Sequence, residues 1–270
     1  MSESNETVRM ARLYNRLREP VLHSAIDVLQ LAPGSRGLDA GCGPGLQAMS
    51  LARAVGPAGH VTGLDLSPES LTIAEELAEE AGLSERVAFQ EGDVNELPFD
   101  DDSFDWAWSM DCVGYAPFDP LPPLLELVRV VKPGGRLALL AWSSEKLLPG
   151  YPELEARLNA TSAGVAPFVK GKKPGLHFLR ALGWLREVGL EELKVHTFAG
   201  GAHAPLTDDL HLTLMSLFQM RWPGVETELT QGEWMEFQRL CVPESPEFIL
   251  DQPDYYAFFT YSMFLGMVAG

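Results

Sequence analysis

Apolar residues in the first half of the chain alternate between short, nearly continuous runs and longer stretches in which they recur every three or four positions. The short runs predict five strands, over "RGLDA", "HVTGLDL", "RVAFQEG", "FDWAWSM" and "RLALLAW". The longer stretches predict helices from Leu46 to Val55, from Pro68 onward with Ser67 as N-cap, and over "PLLELVRVV". This alternation is typical of a doubly wound, mostly parallel sheet with right-handed crossovers.

The flanking parts of the chain extend this α/β pattern. Residues 6 to 31 have a broad apolar face at helical spacing, and Pro20 is expected to break this helix into two pieces. After Trp142 the pattern predicts a helix over 175–187, a sixth strand over "EELKVHTFAG" and a seventh over "YYAFFTYSMFLGMVAG". Residues 143–174 and 206–253 are expected to form a helical cap over the sheet.

Composition and charge narrow the classes of partner. The formal net charge of the 270 residues is −18 at pH 7, which opposes binding to nucleic acid because phosphate backbones are also negative. Lys170, Lys172 and Lys173 are the only candidate for a basic patch in the sequence, and they are expected to lie in a solvated loop. The three cysteines are widely spaced, so neither a disulfide framework nor a zinc site is predicted. Because no apolar run could span a membrane and the first residues are too polar for a signal peptide, a cytoplasmic protein is expected.

The loop "DAGCGPG" after the first strand is the main candidate for ligand binding. In an open parallel sheet, ligands bind beyond the carboxyl ends of the strands, and glycines there let a ligand approach the backbone closely. Asp65 ends the second strand beside this loop, where a carboxylate can accept hydrogen bonds from both hydroxyls of a ribose. The sequence therefore predicts a ligand that contains adenosine or a similar nucleoside.

Two details distinguish this loop from a dinucleotide-binding loop. Gly41, Gly43 and Gly45 form G-x-G-x-G, and Leu46 occupies the position at which G-x-G-x-x-G would require a small residue. Asp39, at the start of the loop, suits a cationic ligand better than a pyrophosphate. An NAD-dependent oxidoreductase, which shares the sheet and the acidic strand end, is therefore disfavoured.

Four segments, "LDAGCGPG", "GLDLS", "EGDVNELPFDDDSFDWAWS" and "RVVKPGGRLAL", resemble the successive motifs of class I S-adenosylmethionine-dependent methyltransferases. The small-molecule branch that includes the ubiquinone and menaquinone biosynthesis methyltransferases is the most similar. The resemblance covers about residues 30 to 142 and is specific as a set, although each motif alone would be weak. It implies a Rossmann-like methyltransferase fold with S-adenosylmethionine as cofactor, S-adenosylhomocysteine as product and a small molecule as methyl acceptor.

The resemblance also implies a set of cofactor-binding residues that follow the strands, with Tyr14 of the N-terminal helix closing over them. For the methionine part these are Asp39, Gly41, Cys42, Gly43 and Gly45; for the ribose and adenine Asp65, Leu66, Ser67, Asp93 and Val94; and for the sulfonium side Met110, with Asp111 next to it. The chain would then divide into a helical segment over the site (1–31), a cofactor-binding core (32–142) and the remainder of the sheet with the substrate cap (143–270).

The sequence defines the methyl acceptor less well. In-line displacement needs no base for an amine, a thiol or a stabilised carbanion, whereas a phenol or an alcohol would need one. His177 and His203 are the leading candidates for a base, because they lie near predicted element ends that face the cap. Eight aromatic residues are candidates to line an apolar pocket for a ring-containing, weakly polar molecule: Tyr115, Phe118, Tyr151, Phe168, Trp184, Phe218, Trp222 and Trp234.

A non-catalytic S-adenosylmethionine-binding protein is the alternative hypothesis, because a fold does not determine a reaction. The presence of Asp65 and of all three loop glycines favours an enzyme. No cluster of metal ligands is evident in the sequence, so no metal is predicted.

Overall fold

Seven strands form a single sheet at the centre of the computed structural model, which describes residues 3–115, 119–165 and 174–270, with side chains from Val8 onward. The strands are β1 (Arg36–Ala40), β2 (His60–Asp65), β3 (Val87–Glu91), β4 (Phe104–Met110), β5 (Val131–Lys146), β6 (Glu191–His203) and β7 (Tyr256–Met267). Their order is β3-β2-β1-β4-β5-β7-β6. The pairs among β1 to β5 are parallel, and β7 is antiparallel to both β5 and β6. The predicted α/β class with a mostly parallel, seven-stranded sheet is confirmed.

Helices cover both faces of this sheet. In the described ranges they are α1 (Glu3–Leu29), α2 (Leu46–Ala54), α3 (Pro68–Glu80), α4 (Leu121–Val130), α5 (Pro152–Asn159), α6 (Ser162–Val165), α7 (Ala181–Glu187), α8 (Asp208–Arg221) and α9 (Gln231–Cys241). Buried side chains of α1, α2, α3, α5, α8 and α9 belong to one core cluster, and those of α4 and α7 belong to a second. The helices α5, α8 and α9 lie in the segments that the sequence assigns to the cap, while the predicted domain boundaries stay a prediction.

The N-terminal helix corrects one expectation, because α1 continues through Pro20 instead of breaking there. A proline inside a helix costs about 3 kcal/mol, since it removes a backbone hydrogen bond and its ring crowds the preceding turn. On both sides of this position α1 buries apolar side chains, among them Leu17, Val21, Leu22 and Leu29. Each buried leucine contributes roughly 1.5–3 kcal/mol, so burial of one continuous face outweighs the cost of the proline.

The predicted helix over 175–187 is shorter than expected. Only α7 is α-helical, and it is preceded by two single 3₁₀ turns, at Pro174–Leu176 and Phe178–Arg180. Between the two turns His177 has an extended backbone, and its ring Nδ1 accepts a hydrogen bond from the Leu179 amide. This local cap interrupts the helical backbone and starts a new turn.

Backbone hydrogen bonds join the carboxyl ends of neighbouring strands. The amides of Gly41 and Cys42 donate to the Leu64 carbonyl of β2 at 2.8 and 3.0 Å. The Gly92 amide donates to the Asp65 carbonyl, and the Asp111 amide donates to the Leu140 carbonyl of β5. The segments after β1, β2, β3 and β4 are therefore held at one edge of the sheet, where the sequence places the ligand.

Candidate active site

The glycine loop after β1 is tied to the end of β2 by the Asp65 carboxylate. Its Oδ2 accepts a hydrogen bond from the Gly43 amide at 2.8 Å, and its Oδ1 accepts one from the Ser67 amide at 3.0 Å. Asp65 therefore positions both the loop and the first turn of α3. Each carboxylate oxygen can accept two hydrogen bonds, so each retains capacity for one further donor.

Two glycines of the loop serve different purposes. Gly45 has φ 74°, and a Cβ there would lie 2.6 Å from the Phe89 ring, so this glycine permits close packing. Gly43 has φ 50°, yet a Cβ there would meet no atom within 4 Å. The space beside Gly43 is therefore open, as a surface that receives a ligand requires.

Asp39 is a buried carboxyl group with unused hydrogen-bonding capacity. Its side chain lies within the sheet edge, and Oδ2 has no hydrogen-bond partner. Burial, together with the negative charge of Asp65, raises the pKa of Asp39 to about 8. A cation beside this group would favour its ionised form and would remove the cost of leaving Oδ2 unpaired.

The residues predicted to contact the adenine and ribose lie around the ends of β2 and β3. Leu66 leaves 63% of its surface exposed, so its apolar side chain is accessible to a ligand. The half-buried Asp93 accepts hydrogen bonds from the amide and the side chain of Asn95 through a single oxygen, Oδ1. Val94 packs against the second core cluster. Their assignment to the cofactor stays a prediction.

Cys42 and Met110 are both buried side chains. Cys42 is 3% exposed, and burial raises the pKa of its thiol, so the residue acts as a small buried side chain and not as a nucleophile. Met110 is 7% exposed and belongs to the first core cluster. Its predicted contact with the sulfonium side therefore depends on the small accessible part of its side chain.

A cavity of about 460 Å³ lies next to the loop and is the strongest candidate for the acceptor pocket. Pro44 of the glycine loop forms part of its wall, which places it beside the predicted cofactor position. Its other walls come from α1, α8, β5 and β7, through residues that include Tyr14, Leu217, Met220, Trp142 and Tyr261. Of the thirteen predicted cofactor residues, Tyr14 and Asp111 line it.

A polar cluster lies in one wall of this cavity. Asp111, at φ 52°, follows β4, and its Oδ2 accepts hydrogen bonds from Arg18 Nη1 at 3.2 Å and from the Tyr261 hydroxyl at 3.0 Å. Its Oδ1 accepts one from the Trp142 amide at 3.0 Å. Burial raises the pKa of Asp111, and these three donors together with the charge of Arg18 oppose that effect.

A buried ion pair supports the Trp142 wall. Arg221 of α8 donates from Nε to Glu145 Oε1 at 2.9 Å, and both residues are 5% exposed. The indole of Trp142 donates to the other oxygen of Glu145 and stacks on Phe259 with ring centroids 4.5 Å apart. The wall therefore has a fixed orientation relative to α8.

Several predicted acceptor residues are not at this cavity. Trp222 and Trp234 border a separate cavity of about 690 Å³ between α8 and α9. The Trp222 indole donates a hydrogen bond to Asn159 of α5. Tyr151 borders another cavity, and Phe218 and Trp184 are core residues. Among the described aromatic candidates only Tyr115 lines the pocket; Phe118 and Phe168, like Lys170, Lys172 and Lys173, fall outside the described residues.

Neither predicted histidine base is at the cavity. His177 caps a 3₁₀ turn, and the exposed His203 lies 2.9 Å from the Ala204 carbonyl through Nδ1. These local contacts explain why the two histidines lie at the ends of elements, the feature on which the prediction of a base rested. In place of a histidine, the pocket contains Arg18, Asp111 and Tyr261, and of these only Asp111 was among the candidates.

Two features are absent from the parts of the chain that the structure describes. No helix there is both long enough and apolar enough to cross a membrane. Nor is any group of three or more His, Cys, Asp or Glu side chains placed to hold a metal ion.

The strand order, the glycine loop and the acidic end of β2 together define a class I S-adenosylmethionine-dependent methyltransferase. Residues 31–190, more than half of the chain, match the family model described as a methyltransferase domain. The chain belongs to this family and is an S-adenosylmethionine-dependent enzyme that transfers a methyl group to a small molecule.

Known relatives differ in the acceptors that their names give. Demethylmenaquinone methyltransferase of Bacillus subtilis is 30% identical over 191 residues, which cover 66% of this chain and 80% of that protein. The 27-O-demethylrifamycin SV methyltransferase of Amycolatopsis mediterranei is 35% identical over 167 residues, covering 61% and 57%. A geranyl diphosphate methyltransferase solved with S-adenosylmethionine has the same fold, with a TM-score of 0.53, 18% identity and coverage of 96% and 90%. Membership of the family therefore does not specify the acceptor.

Proposed function

We propose that the predicted cofactor residues hold S-adenosylmethionine at the carboxyl edge of the sheet. Asp65 receives the two ribose hydroxyls, because each of its oxygens has capacity for one more donor beyond the Gly43 and Ser67 amides. Asp39 faces the amino end, since its Oδ2 is buried and unpaired and a cation satisfies it. The open side of Gly43 takes the methionine part. The unpaired atom and the open surface both fit a cationic nucleoside.

The same proposal places Leu66, Asp93 and Val94 around the adenine. Leu66 supplies an exposed apolar surface for the adenine ring. Asp93 engages Asn95 through only one of its two oxygens, which leaves the other for the adenine amino group. Val94 supplies a backbone amide beside it.

The acceptor that this pocket fits best is a small, ring-containing and weakly polar molecule. A volume of about 460 Å³ suits one or two rings, and Tyr14, Trp142, Leu217 and Met220 provide largely apolar walls. The net charge of −18 also opposes a polyanionic substrate such as nucleic acid. The observation that carries the proposal is the position of this cavity against the glycine loop, through Pro44.

The chain accelerates the reaction by alignment and by exclusion of water. When bound, S-adenosylmethionine supplies a methyl group on a positively charged sulfur. In-line displacement requires the acceptor atom opposite that sulfur, about 3 to 3.5 Å from the methyl carbon, and such alignment contributes roughly 7–11 kcal/mol. The Tyr14 hydroxyl of α1 donates a hydrogen bond to the Ser216 hydroxyl of α8 at 3.2 Å, so α1 and α8 close the pocket together.

Calorimetric titration with S-adenosylmethionine, S-adenosylhomocysteine and NAD tests the cofactor assignment. The first two ligands should bind and NAD should not. Transfer of a radiolabelled methyl group to a panel of aromatic phenols, amines and thiols then tests the acceptor class. Binding of NAD alone, or methylation confined to highly charged metabolites in the same assay, would contradict the proposal.

A further inference from the structure

The polar cluster around Asp111 has one unused acceptor position, on a residue that lines the pocket. Four lone pairs are available on a carboxylate. Oδ2 receives Arg18 Nη1 and the Tyr261 hydroxyl, whereas Oδ1 receives only the Trp142 amide. The Asp111 side chain is 24% exposed and lines the cavity, so a molecule in the pocket can reach it.

The rest of the cluster fixes this carboxylate in position. Tyr261 is 1% exposed and its ring packs edge-on against Trp142, with centroids 5.5 Å apart. Arg18 Nε donates to the Tyr14 carbonyl, so the guanidinium is held along α1. Burial and the nearby carboxylate raise the pKa of Tyr261 well above its ordinary value, so its hydroxyl keeps its proton and acts as a donor. Asp111 is therefore the one group of this trio that can accept a proton.

We propose that Asp111 is a catalytic residue that accepts the proton of a ring hydroxyl, so that the enzyme methylates the oxygen of a phenol or enol, with Arg18 and Tyr261 as positioning residues. This inference rests on the proposed function and names its acceptor class. The hydroxyl proton passes to Asp111 Oδ1, and the oxygen lone pair forms the bond to the methyl carbon. As that bond forms, the carbon–sulfur bond breaks and its electron pair remains on sulfur. The negative carboxylate and the positive sulfonium become a neutral acid and a neutral thioether, so charge and atoms balance.

Other titratable groups around the cluster do not replace Asp111 in this role. They are Tyr14 on α1, Cys112 and Tyr115 after β4, Glu145 on β5 and Arg221 on α8. Burial raises the pKa of Cys112 to about 11 and that of Tyr115 above its ordinary value, so both stay protonated near neutral pH. Glu145 is engaged by Arg221 and by the Trp142 indole.

The test compares the binding of 1-naphthol and 1-methoxynaphthalene to the full chain saturated with S-adenosylhomocysteine. The two probes have the same rings, but only 1-naphthol can donate a hydrogen bond to Asp111. A hydrogen bond to a charged group corresponds to at least a tenfold difference in affinity, so 1-naphthol should bind at least tenfold more tightly. In Asp111→Asn this preference should fall below about threefold, since the charge is lost, whereas the exposed Asp100→Asn should retain it.

A second measurement does not depend on the folding of Asp111→Asn. The affinity for 1-naphthol should fall as the pH is lowered and Asp111 becomes protonated, while that for 1-methoxynaphthalene should stay constant. Tyr261→Phe removes a donor to the ionised carboxylate, which raises the pKa of Asp111 and moves this decrease to higher pH. Arg18→Gln should shift it in the same direction, and Arg18→Lys should shift it less.

Equal affinities of the two probes, or no binding of 1-naphthol, would overturn this inference, and so would an unchanged pH midpoint in Tyr261→Phe. Methylation of a ring carbon or of an amine, with no O-methylation of any phenol, would overturn it as well. The titration with S-adenosylmethionine on the same samples distinguishes these results from failure of the proposed function. Normal binding of the cofactor would leave the methyltransferase site in place and would remove only the role of Asp111.

Discussion

Replacement of Asp65 by alanine removes the group on which the proposed ribose contact depends. Two of the four acceptor positions of this carboxylate are occupied by the Gly43 and Ser67 amides, which leaves one position on each oxygen for the ribose hydroxyls. Hydrogen bonds to a charged group contribute roughly 1.5–3 kcal/mol each, so the two lost bonds correspond to about 3 to 6 kcal/mol. Water replaces part of this, and the expected decrease in affinity for S-adenosylmethionine is at least tenfold.

Calorimetric titration of Asp65→Ala measures this effect, with Glu69→Ala as the matched control. Glu69 is an exposed acid in the first turn of α3, the helix that follows Asp65, so its loss changes the local charge without removing the ribose contact. Thermal unfolding without ligand should show a folded protein, because the Gly43 and Ser67 amides lie in half-buried positions that water can reach. An affinity of folded Asp65→Ala within twofold of the wild-type value would refute the reasoning.

Three further changes test other parts of the site. Glu145→Leu removes the carboxylate that balances the buried positive charge of Arg221, so the free energy of unfolding should fall by about 3–5 kcal/mol in chemical denaturation. The double variant with Arg221→Met should recover most of this loss, and an unchanged denaturation midpoint in the single variant would contradict the prediction. Gly43→Val should abolish S-adenosylmethionine binding with an unchanged circular dichroism spectrum, because the valine side chain fills the open space beside the loop. Gly43→Ala should weaken binding less. Retained affinity in the valine variant would place the ligand elsewhere. Burial raises the pKa of Asp39 to about 8 from an ordinary value of about 4. Between these pH values the folded protein keeps a proton that the unfolded chain releases, so the free energy of unfolding falls as the pH rises from about 4 to about 8. Asp39→Asn should flatten this pH dependence and weaken cofactor binding, and an unchanged slope would exclude a protonated Asp39.

Sequence patterns predicted those parts of the enzyme in which local structure and function coincide. The strands β1, β2 and β4, which end at Ala40, Asp65 and Met110, have strong apolar runs, and the turn that follows β1 requires glycine, so the sequence predicts both the strands and the loop. The N-cap role of Ser67 was also predictable, because its side chain accepts a hydrogen bond from the Ser70 amide only three residues later.

The acceptor pocket was not predictable in the same way, because its residues come from distant segments. Arg18 and Tyr261 are 243 positions apart and meet at Asp111 only after the sheet has formed. Trp222 and Trp234 looked suitable by composition, but composition does not show which face of α8 or α9 a side chain occupies. The helix break predicted at Pro20 was wrong for a related reason, since the energy that keeps α1 continuous comes from tertiary burial and not from local propensity.

The position of β7 in the sheet has a consequence for how the protein acquires its structure during synthesis. β7 lies between β5 and β6, so β6 has no neighbour in the sheet until residues 256–267 have been made. A nascent chain that ends before Tyr256 can pair β1 to β5, but it exposes one edge of β5 and leaves β6 unpaired. The cofactor loop lies between strands that are complete by residue 146, whereas the acceptor pocket lacks Tyr261 until β7 is inserted. On the ribosome, therefore, the methyl-donor site can form well before the molecule can select what it methylates.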